Sequence, residues 1–312
     1  MSGRILVGID GSQGSSRALA WALEEAAARQ AILEPVIVWQ IPHDFARDLY
    51  HLVDAKRLAA GVRARLEQTI AEAVGDHAAV EIEPVVLEGD PAGVLCQRVV
   101  KTDLLVVGSR GHGTLSGLLL GSVSSKCAHH SRCPVAIIPS CPDDESRPVR
   151  RTGRILVGID GSAGSLGALR WATEEAGARH ATVTALMVWR GLDEEDDMAM
   201  ELASFPSIGR QDRATAETAA KRLGRIVSEA GGSRVSVEPV LLEGDPAETL
   251  CQHAREADML VVGSRGRGTF AGLLLGSVSS KCAHHSPVPV VIVPTGRDGD
   301  SAQPREPTGS SG

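Results

Sequence analysis

The sequence predicts an α/β fold built twice in one chain, each copy a parallel sheet with helices on both faces. Two observations predict it. The first is an internal repeat. GRILVGIDGS stands at residues 3–12 and returns at 153–162, and LEGDP at 87–91 returns at 242–246. Residues 117–131 and 272–286 are identical, GLLLGSVSSKCAHHS. All four tryptophans are paired between copies, Trp21 with Trp171 and Trp39 with Trp189. The offset grows from 150 to 155 residues between the counterparts of Trp39 and Leu87, so the second copy carries five extra residues there. So long a period is a duplicated domain and not a solenoid, whose units are about 20–50 residues. The second observation is that short apolar runs alternate with stretches of helical periodicity. That alternation builds βαβ units and hence a parallel sheet.

The elements of the first copy follow in order. Arg4–Ile9 is a strand. Ser15–Gln30 is a helix with Leu19, Leu23 and Ala26 on one face. Ile32–Trp39 is the second strand, although Pro35 weakens the assignment of its early part. Residues 41–54 are irregular. Ala55–Val74 is a long helix with Leu58, Val62, Leu66 and Ile70 spaced by four. Val80–Leu87 is the third strand, and Pro84 places it at an edge. Pro91–Lys101 is a helix with proline in its first turn. Leu104–Val107 is the fourth strand, a segment from Gly121 to His130 is a helix, and Pro134–Ile138 is the fifth strand. The domains run 1–140 and 153–295. A charged, proline-containing linker at 141–152 joins them, and a Gly/Ser/Pro-rich tail at 296–312 is expected to be disordered.

The most informative stretch follows the fourth strand. Gly108-Ser109-Arg110-Gly111 is separated by nine residues from Gly121-Ser122, and Gly263-Ser264-Arg265-Gly266 repeats the spacing to Gly276-Ser277. A strand, a glycine-rich loop and a helix start are the parts of a phosphate cradle. Glycine lets backbone N–H groups approach phosphate oxygens, and a helix N-terminus adds unpaired donors and partial positive charge. Ser122 and Ser124, with Ser277 and Ser279, offer hydroxyls. Arg110 and Arg265 suit pairing with phosphate, or equally are surface arginines. The loop is neither a Walker A motif, since no Gly-Lys-[Ser/Thr] follows, nor a complete G-x-G-x-x-G.

The pattern G-x2-G-x9-G-[ST] resembles the nucleotide loop of the ATP-binding class of universal stress proteins. Asp10-Gly11-Ser12, repeated as Asp160-Gly161-Ser162, supports the resemblance, which covers about residues 3–139 and 153–294. The whole chain resembles the tandem members of that family found in actinobacteria. The resemblance implies two Rossmann-like (adenine nucleotide alpha hydrolase-like) domains, each a five-stranded parallel sheet of order 3-2-1-4-5. It implies ATP as cofactor, with Mg²⁺. Gly108, Gly111, Gly121, Ser122 and Val123, and Gly263, Gly266, Gly276, Ser277 and Val278, would line ribose and phosphates. Asp10 and Asp160 would lie near the nucleoside, and the backbone near Trp39 and Trp189 would contact adenine. The apolar fifth strands would pair the two copies as an intramolecular pseudo-dimer, leaving room for a homodimer of whole chains.

Composition bounds the rest. A net charge of −7 argues against nucleic-acid and anionic-membrane partners, where a basic face is expected. No run of about 18 apolar residues and no charged-then-apolar leader occur, so the expectation is a soluble cytoplasmic protein. Cys96 is paired with Cys251 and Cys127 with Cys282, all in predicted helices; small buried apolar residues is the expected role. Cys127-x-His129-His130 invites a metal, but it has no evident further ligand, and no metal site is assigned. GLDEEDD at 191–197 is a solvated loop or part of a lid. Three functions are open: a regulatory nucleotide-binding protein, a slow ATP hydrolase or phosphotransferase, and an interaction module without nucleotide. The repeats share no candidate base in the loop; His112 is one candidate, and its counterpart is Arg267. That mismatch favours binding over turnover.

Overall fold

The structure is a computed structural model that describes residues 3–40, 55–75, 80–111, 120–140, 152–189, 216–230, 235–266 and 275–295. The expectations for residues 41–54, the linker, the acidic run at 191–197, His112 and the tail all fall outside these residues. The first repeat contains β1 (Arg4–Ile9), α1 (Gln13–Arg29), β2 (Ile32–Trp39), α2 (Ala55–Val74), β3 (Val85–Glu88), α3 (Pro91–Arg98), β4 (Leu104–Gly108), α4 (Ser122–His130) and β5 (Val135–Ile138). The second contains β6 (Arg154–Ile159), α5 (Ala163–Arg179), β7 (Thr182–Trp189), α6 (Ala216–Ala230), β8 (Val237–Glu243), α7 (Pro246–His253), β9 (Met259–Gly263), α8 (Ser277–His285) and β10 (Val290–Val293).

All ten strands form one sheet of order β3-β2-β1-β4-β5-β10-β9-β6-β7-β8. Within each repeat the strands are parallel in the order 3-2-1-4-5. β5 and β10 pair antiparallel across the centre, with Ala136 opposite Val291. The exposed-edge hazard of two apolar strands is thereby removed, each edge covering the other. The repeats form the expected pseudo-dimer.

Period two divides the core. Ile5, Val7 and Ile9 of β1 face α1 and α2, where Leu19, Leu23 and Leu66 pack. Leu6, with Val36, Leu105 and Val107, faces α3 and α4. Where α1 meets α5 across the pseudo-two-fold axis, two buried carboxylates meet two partly buried guanidiniums. Arg29 Nη2 lies 2.6 Å from Glu175 Oε2, and Arg179 pairs with Glu25. Arg29 also stacks over Trp171, 5.4 Å from the ring centroid. Burial pulls both guanidinium pKa values down, Arg179 to about 10, so Arg179 stays charged at neutral pH. The opposed pairs fix which faces of α1 and α5 meet, because a slipped register would leave a buried charge alone.

Two element boundaries differ from the sequence expectation by three residues or more. α3 stops at Arg98, not Lys101, because the Asp103 carboxylate takes the Val100 N–H at 2.8 Å and turns the chain into β4. The third strand shortens to Val85–Glu88, with one isolated bridge from Leu33 to Ile82. Leu33 bonds that segment with both its N–H (to Glu81 O) and its carbonyl (from Glu83 N), each 2.9 Å. Pro35, two residues on, faces the same neighbour and has no N–H to give. β2 itself runs through Pro35 without a break, since β1 holds its other side.

Candidate functional site

β1 and β4 are neighbours, and the chain leaves their carboxyl ends to opposite faces of the sheet. This is the switch point where such sheets leave a crevice. On the β1 side the chain turns at Gly11, whose φ of +82° is one that favours glycine. Ser12 N donates to Asp10 Oδ1 at 2.9 Å, and Ser12 Oγ caps α1 by accepting from Ser15 N at 3.2 Å. The second repeat reproduces both bonds with Asp160, Ser162 and Ser165.

On the β4 side the loop lies against the first turn of α1. A Cβ on Gly14 would sit 2.5 Å from the Arg110 carbonyl, and one on Gly108 would sit 2.8 Å from the Gly14 backbone. A Cβ on Gly111 would run into Asp10 Oδ2, and one on Gly266 would come within 2.5 Å of Asp160 Oδ2. Gly108 and Gly111 are therefore glycines because the protein's own backbone and Asp10 occupy the space. Gly121 differs. A Cβ there would be 3.4 Å from the nearest atom, Ser109 O, at an ordinary φ of −72°. Gly276 has the same freedom.

Buried Ser109 holds this loop together. Its N–H donates to Ile138 O at 2.8 Å, its carbonyl accepts from Gly121 N at 2.7 Å, and its hydroxyl accepts from Ser140 N at 3.0 Å. Ser124 Oγ donates to the Gly121 carbonyl at 2.9 Å and lies 3.2 Å from that of Ser109. The Ser124 hydroxyl, read from sequence as a ligand group, thus spends its proton bracing the loop, as does that of Ser279. Exposed Ser122 has no such tie among the bonds described, and Ser277 is likewise exposed.

α4 begins at Gly121 with no side-chain cap, whereas α1 is capped by Ser12 and α3 by Asp90. Its first intrahelical bond is Ser125 N to Gly121 O at 3.0 Å. The N–H groups of Ser122, Val123 and Ser124 precede it and have no acceptor within the helix. α8 starts in the same way at Gly276, ahead of Ser277, Val278 and Ser279.

These parts surround a cavity of about 360 Å³ in the first repeat. Asp10, Arg110, Gly111 and Ser122 give it polar groups, and Ile9, Val36, Val38, Leu95, Val107 and Leu120 give it apolar walls. Gly108, Gly121, Val123 and Ser124 line it too. Arg110 Nε is buried and has no hydrogen-bond partner among the described residues. Arg265, its counterpart, is exposed.

The backbone next to Trp39 reaches this cavity at Val38, and the Trp39 side chain is turned from it. Val36 and Val38 face the α3–α4 side, so Trp39, one residue on, faces the other way; Trp189 packs against the α1–α5 core. The Trp39 carbonyl accepts from Gly89 N, and that of Trp189 from Gly244 N, both at 3.0 Å. The sequence reading gave no role to Gly14 or Ser109. Their repetition as Gly164 and Ser264 was the available signal. Among the described residues no three His, Cys, Asp or Glu side chains converge as a metal set, and no helix is long and apolar enough to cross a membrane.

Known proteins resemble this chain throughout its length. The model of the universal stress protein family matches residues 1–139 and again 152–294. A universal stress protein of Mycolicibacterium smegmatis is 31% identical over 298 residues, covering 93% of this chain and 96% of its own. One of Mycobacterium tuberculosis is 32% identical over 306 residues, covering 92% and 94%. Among solved structures, a universal stress protein from Archaeoglobus fulgidus superposes with a TM-score of 0.66 at 23% identity, covering 96% of this chain and 98% of its own, which speaks for the fold alone. Two matches to one family model, and relatives of the same tandem length, establish that this chain belongs to the universal stress protein family as a tandem of two of its domains.

Proposed function

We propose that each repeat binds one ATP, with Mg²⁺, and that the chain is a regulatory nucleotide-binding protein of the stress response. The observation that carries this reading is the start of α4. The helix N-terminus is uncapped, it opens on a cavity, and its N-cap glycine is one the protein's own packing does not require. Such a position keeps its glycine for something that is not part of the chain. Uncapped N–H groups and a helix dipole suit phosphate oxygens, and the unpartnered Arg110 Nε adds a cation in the same cavity. The apolar walls suit a planar base, so the cavity combines the two chemistries of a nucleotide.

In this reading Gly121, Ser122, Val123 and Ser124 hold phosphates through their backbone, joined by Arg110. Gly108 and Gly111 let the loop lie close, and Asp10 faces the sugar or a metal-bound water. Gly263, Arg265, Gly266, Gly276, Ser277, Val278, Ser279 and Asp160 do the same in the second repeat. The Mg²⁺ would neutralise phosphate charge without a protein cage. Among the described residues lining the cavity, Asp10 is the one carboxylate, and its Oδ1 already accepts the Ser12 N–H. Backbone amides stabilise ground-state phosphates about as well as a transition state, so this site holds nucleotide and turns it over slowly. Mass spectrometry of what leaves the denatured protein, with calorimetric titration of ATP, tests the reading. The expected stoichiometry is two per chain, and a stoichiometry of zero overturns it. Turnovers per second lost on His112→Ala would move the assignment to an ATP hydrolase.

A further inference from the structure

Each repeat places two thiols together on the face of the sheet that α3 and α4 cover. Cys96 lies on α3 and Cys127 on α4, and the two helices pack on one another. Cys127 is fully buried in the core, Cys96 is half-buried against it, and both are free thiols. The Cys127 thiol lies beside that of Cys96, close enough that each shifts the ionisation of the other. Cys251 on α7 and Cys282 on α8 repeat every one of these features. The expectation of small buried apolar residues therefore holds for Cys127 and Cys282 only. A thiol kept for its size does not need a second thiol in contact, and still less the same contact twice.

The pairs have a front and a back. Cys251 lines a second cavity, of about 560 Å³, together with Arg255, Lys281 and His285 on one hand and Asp245 and Glu248 on the other. A small polar reagent reaches the front thiol there and finds Cys282 behind it. The adjacent back thiol pulls the front thiol, Cys96 or Cys251, below the ordinary cysteine range. The same contact, with burial, pushes Cys127 and Cys282 up. The front thiol is thus the one that ionises and is accessible, which is what oxidation selects.

We propose that Cys96–Cys127 and Cys251–Cys282 are two oxidisable dithiols, each closed to an intradomain disulfide by a small hydroperoxide. The front thiolate attacks the peroxide O–O bond, becomes a sulfenic acid and releases an alcohol, or water from hydrogen peroxide. The back thiol then attacks that sulfur, the S–S bond forms, and the sulfenic oxygen leaves as water with the thiol proton. Two thiols and one hydroperoxide give one disulfide, one alcohol and one water. α3 carries Pro91 and Leu95 of the first cavity, and α4 carries Ser122, Val123 and Ser124. A bond about 2 Å long between these helices ties two walls of that cavity. This last consequence rests on the nucleotide reading, whereas the thiol chemistry does not.

The test uses the full chain with Cys133→Val, the residue at the matching position 288, and Cys141→Ser. The folded protein is treated with hydrogen peroxide, denatured, alkylated, digested without reductant and examined by mass spectrometry. The expected products are the 96–127 and 251–282 cross-links, with no added oxygen and full reversal by a dithiol reductant. Four alkylated thiols after treatment, or disulfides between chains, overturn the proposal. In Cys127→Ala, Cys96 is expected to halt as a sulfenic acid that a dimedone probe captures; an unlabelled Cys96 overturns its role as the front thiol. If the cross-links form and nucleotide affinity is unchanged, the dithiols stand and their link to the cavity falls. If no nucleotide binds in either state, the cavity reading falls and the cross-links stand.

Discussion

The two repeats share a fold and an identical fifteen-residue segment, yet they solve the same structural problems differently. In the first, Glu34 is almost wholly buried in β2 and is held by Arg4 at 2.9 Å and by Arg98. Arg4 also reaches Asp103 at 3.0 Å. In the second, the position of Glu34 is Thr184 and that of Arg98 is His253. Asp258, the counterpart of Asp103, accepts instead from the Thr152 hydroxyl at 2.8 Å and the Gly153 N–H at 3.1 Å. Arg154, the counterpart of Arg4, is left with an exposed partner, Glu256, 3.7 Å away. A buried ion network in one copy is backbone and hydroxyl bonding in the other. The difference teaches that these positions serve the fold and are free to diverge, whereas the glycine spacing and the uncapped helix start at Gly121 and Gly276 are the same in both copies.

The comparison can be broken most visibly at the arginines. Arg4→Ala removes one partner from two buried carboxylates and is expected to destabilise by about 2–3 kcal/mol, Arg98 still holding Glu34. Arg154→Ala loses only a surface pair and is expected to cost less than about 0.5 kcal/mol. Denaturant midpoints measure both, and equal losses would refute the asymmetry.

The glycines separate fold from function. Gly108→Ala forces a Cβ onto the Gly14 backbone and is expected to destabilise by about 2 kcal/mol. Gly121→Ala meets no such obstacle. Its expected stability loss is under about 1 kcal/mol, the difference between glycine and alanine as N-caps. Its expected loss of ATP affinity is about tenfold, or about 1.4 kcal/mol, in the first site alone. A Gly121→Ala protein that melts early and binds normally would invert the assignment.

A smaller effect sharpens the contrast between sites. Arg110→Ala, which removes a partly buried cation, is expected to weaken ATP at the first site about fivefold, about 1 kcal/mol. Arg265→Ala, at an exposed position, is expected to change the second site less than twofold. Titration of each variant reads the two sites separately if they differ in affinity as this predicts. The smallest expected effect is at Pro35, whose counterpart is Ala185. Pro35→Ala supplies the missing N–H facing the β3 segment. Amide hydrogen exchange at Glu83 and Val85 should slow, with about 0.5 kcal/mol gained from the hydrogen bond after the proline's loop-entropy advantage is lost.

Much of this was legible in the sequence because repetition and glycine spacing are local signals. The starts of the first, second and fourth strands and the long helix Ala55–Val74 follow from apolar pattern, and the pairing of the fifth strands from the family resemblance. Other features depend on contacts between distant segments, which no local pattern reports. The apolar cavity walls come from β2, α3 and β4 at once, so nothing local marks Val36, Leu95 and Val107 as cavity residues. Ser124 looked like a ligand group because its two carbonyl partners appear only when the loop folds back. The family resemblance pointed to the backbone near Trp39, which reaches the cavity at Val38, while strand parity turns the Trp39 side chain away. Glu25, Arg29, Glu175 and Arg179 carry no local signal, and the meeting of α1 with α5 is what withdraws them from water.

The antiparallel meeting of β5 with β10 gives the molecule two poles. The carboxyl ends of β1 and β4 point one way along the sheet, and those of β6 and β9 point the other. The two crevices accordingly open in opposite directions. A strand of six residues spans roughly 20 Å, well beyond the screening length of about 8 Å at physiological salt. Charge arriving at one pole is invisible at the other, and a single flat neighbour can inspect only one of them.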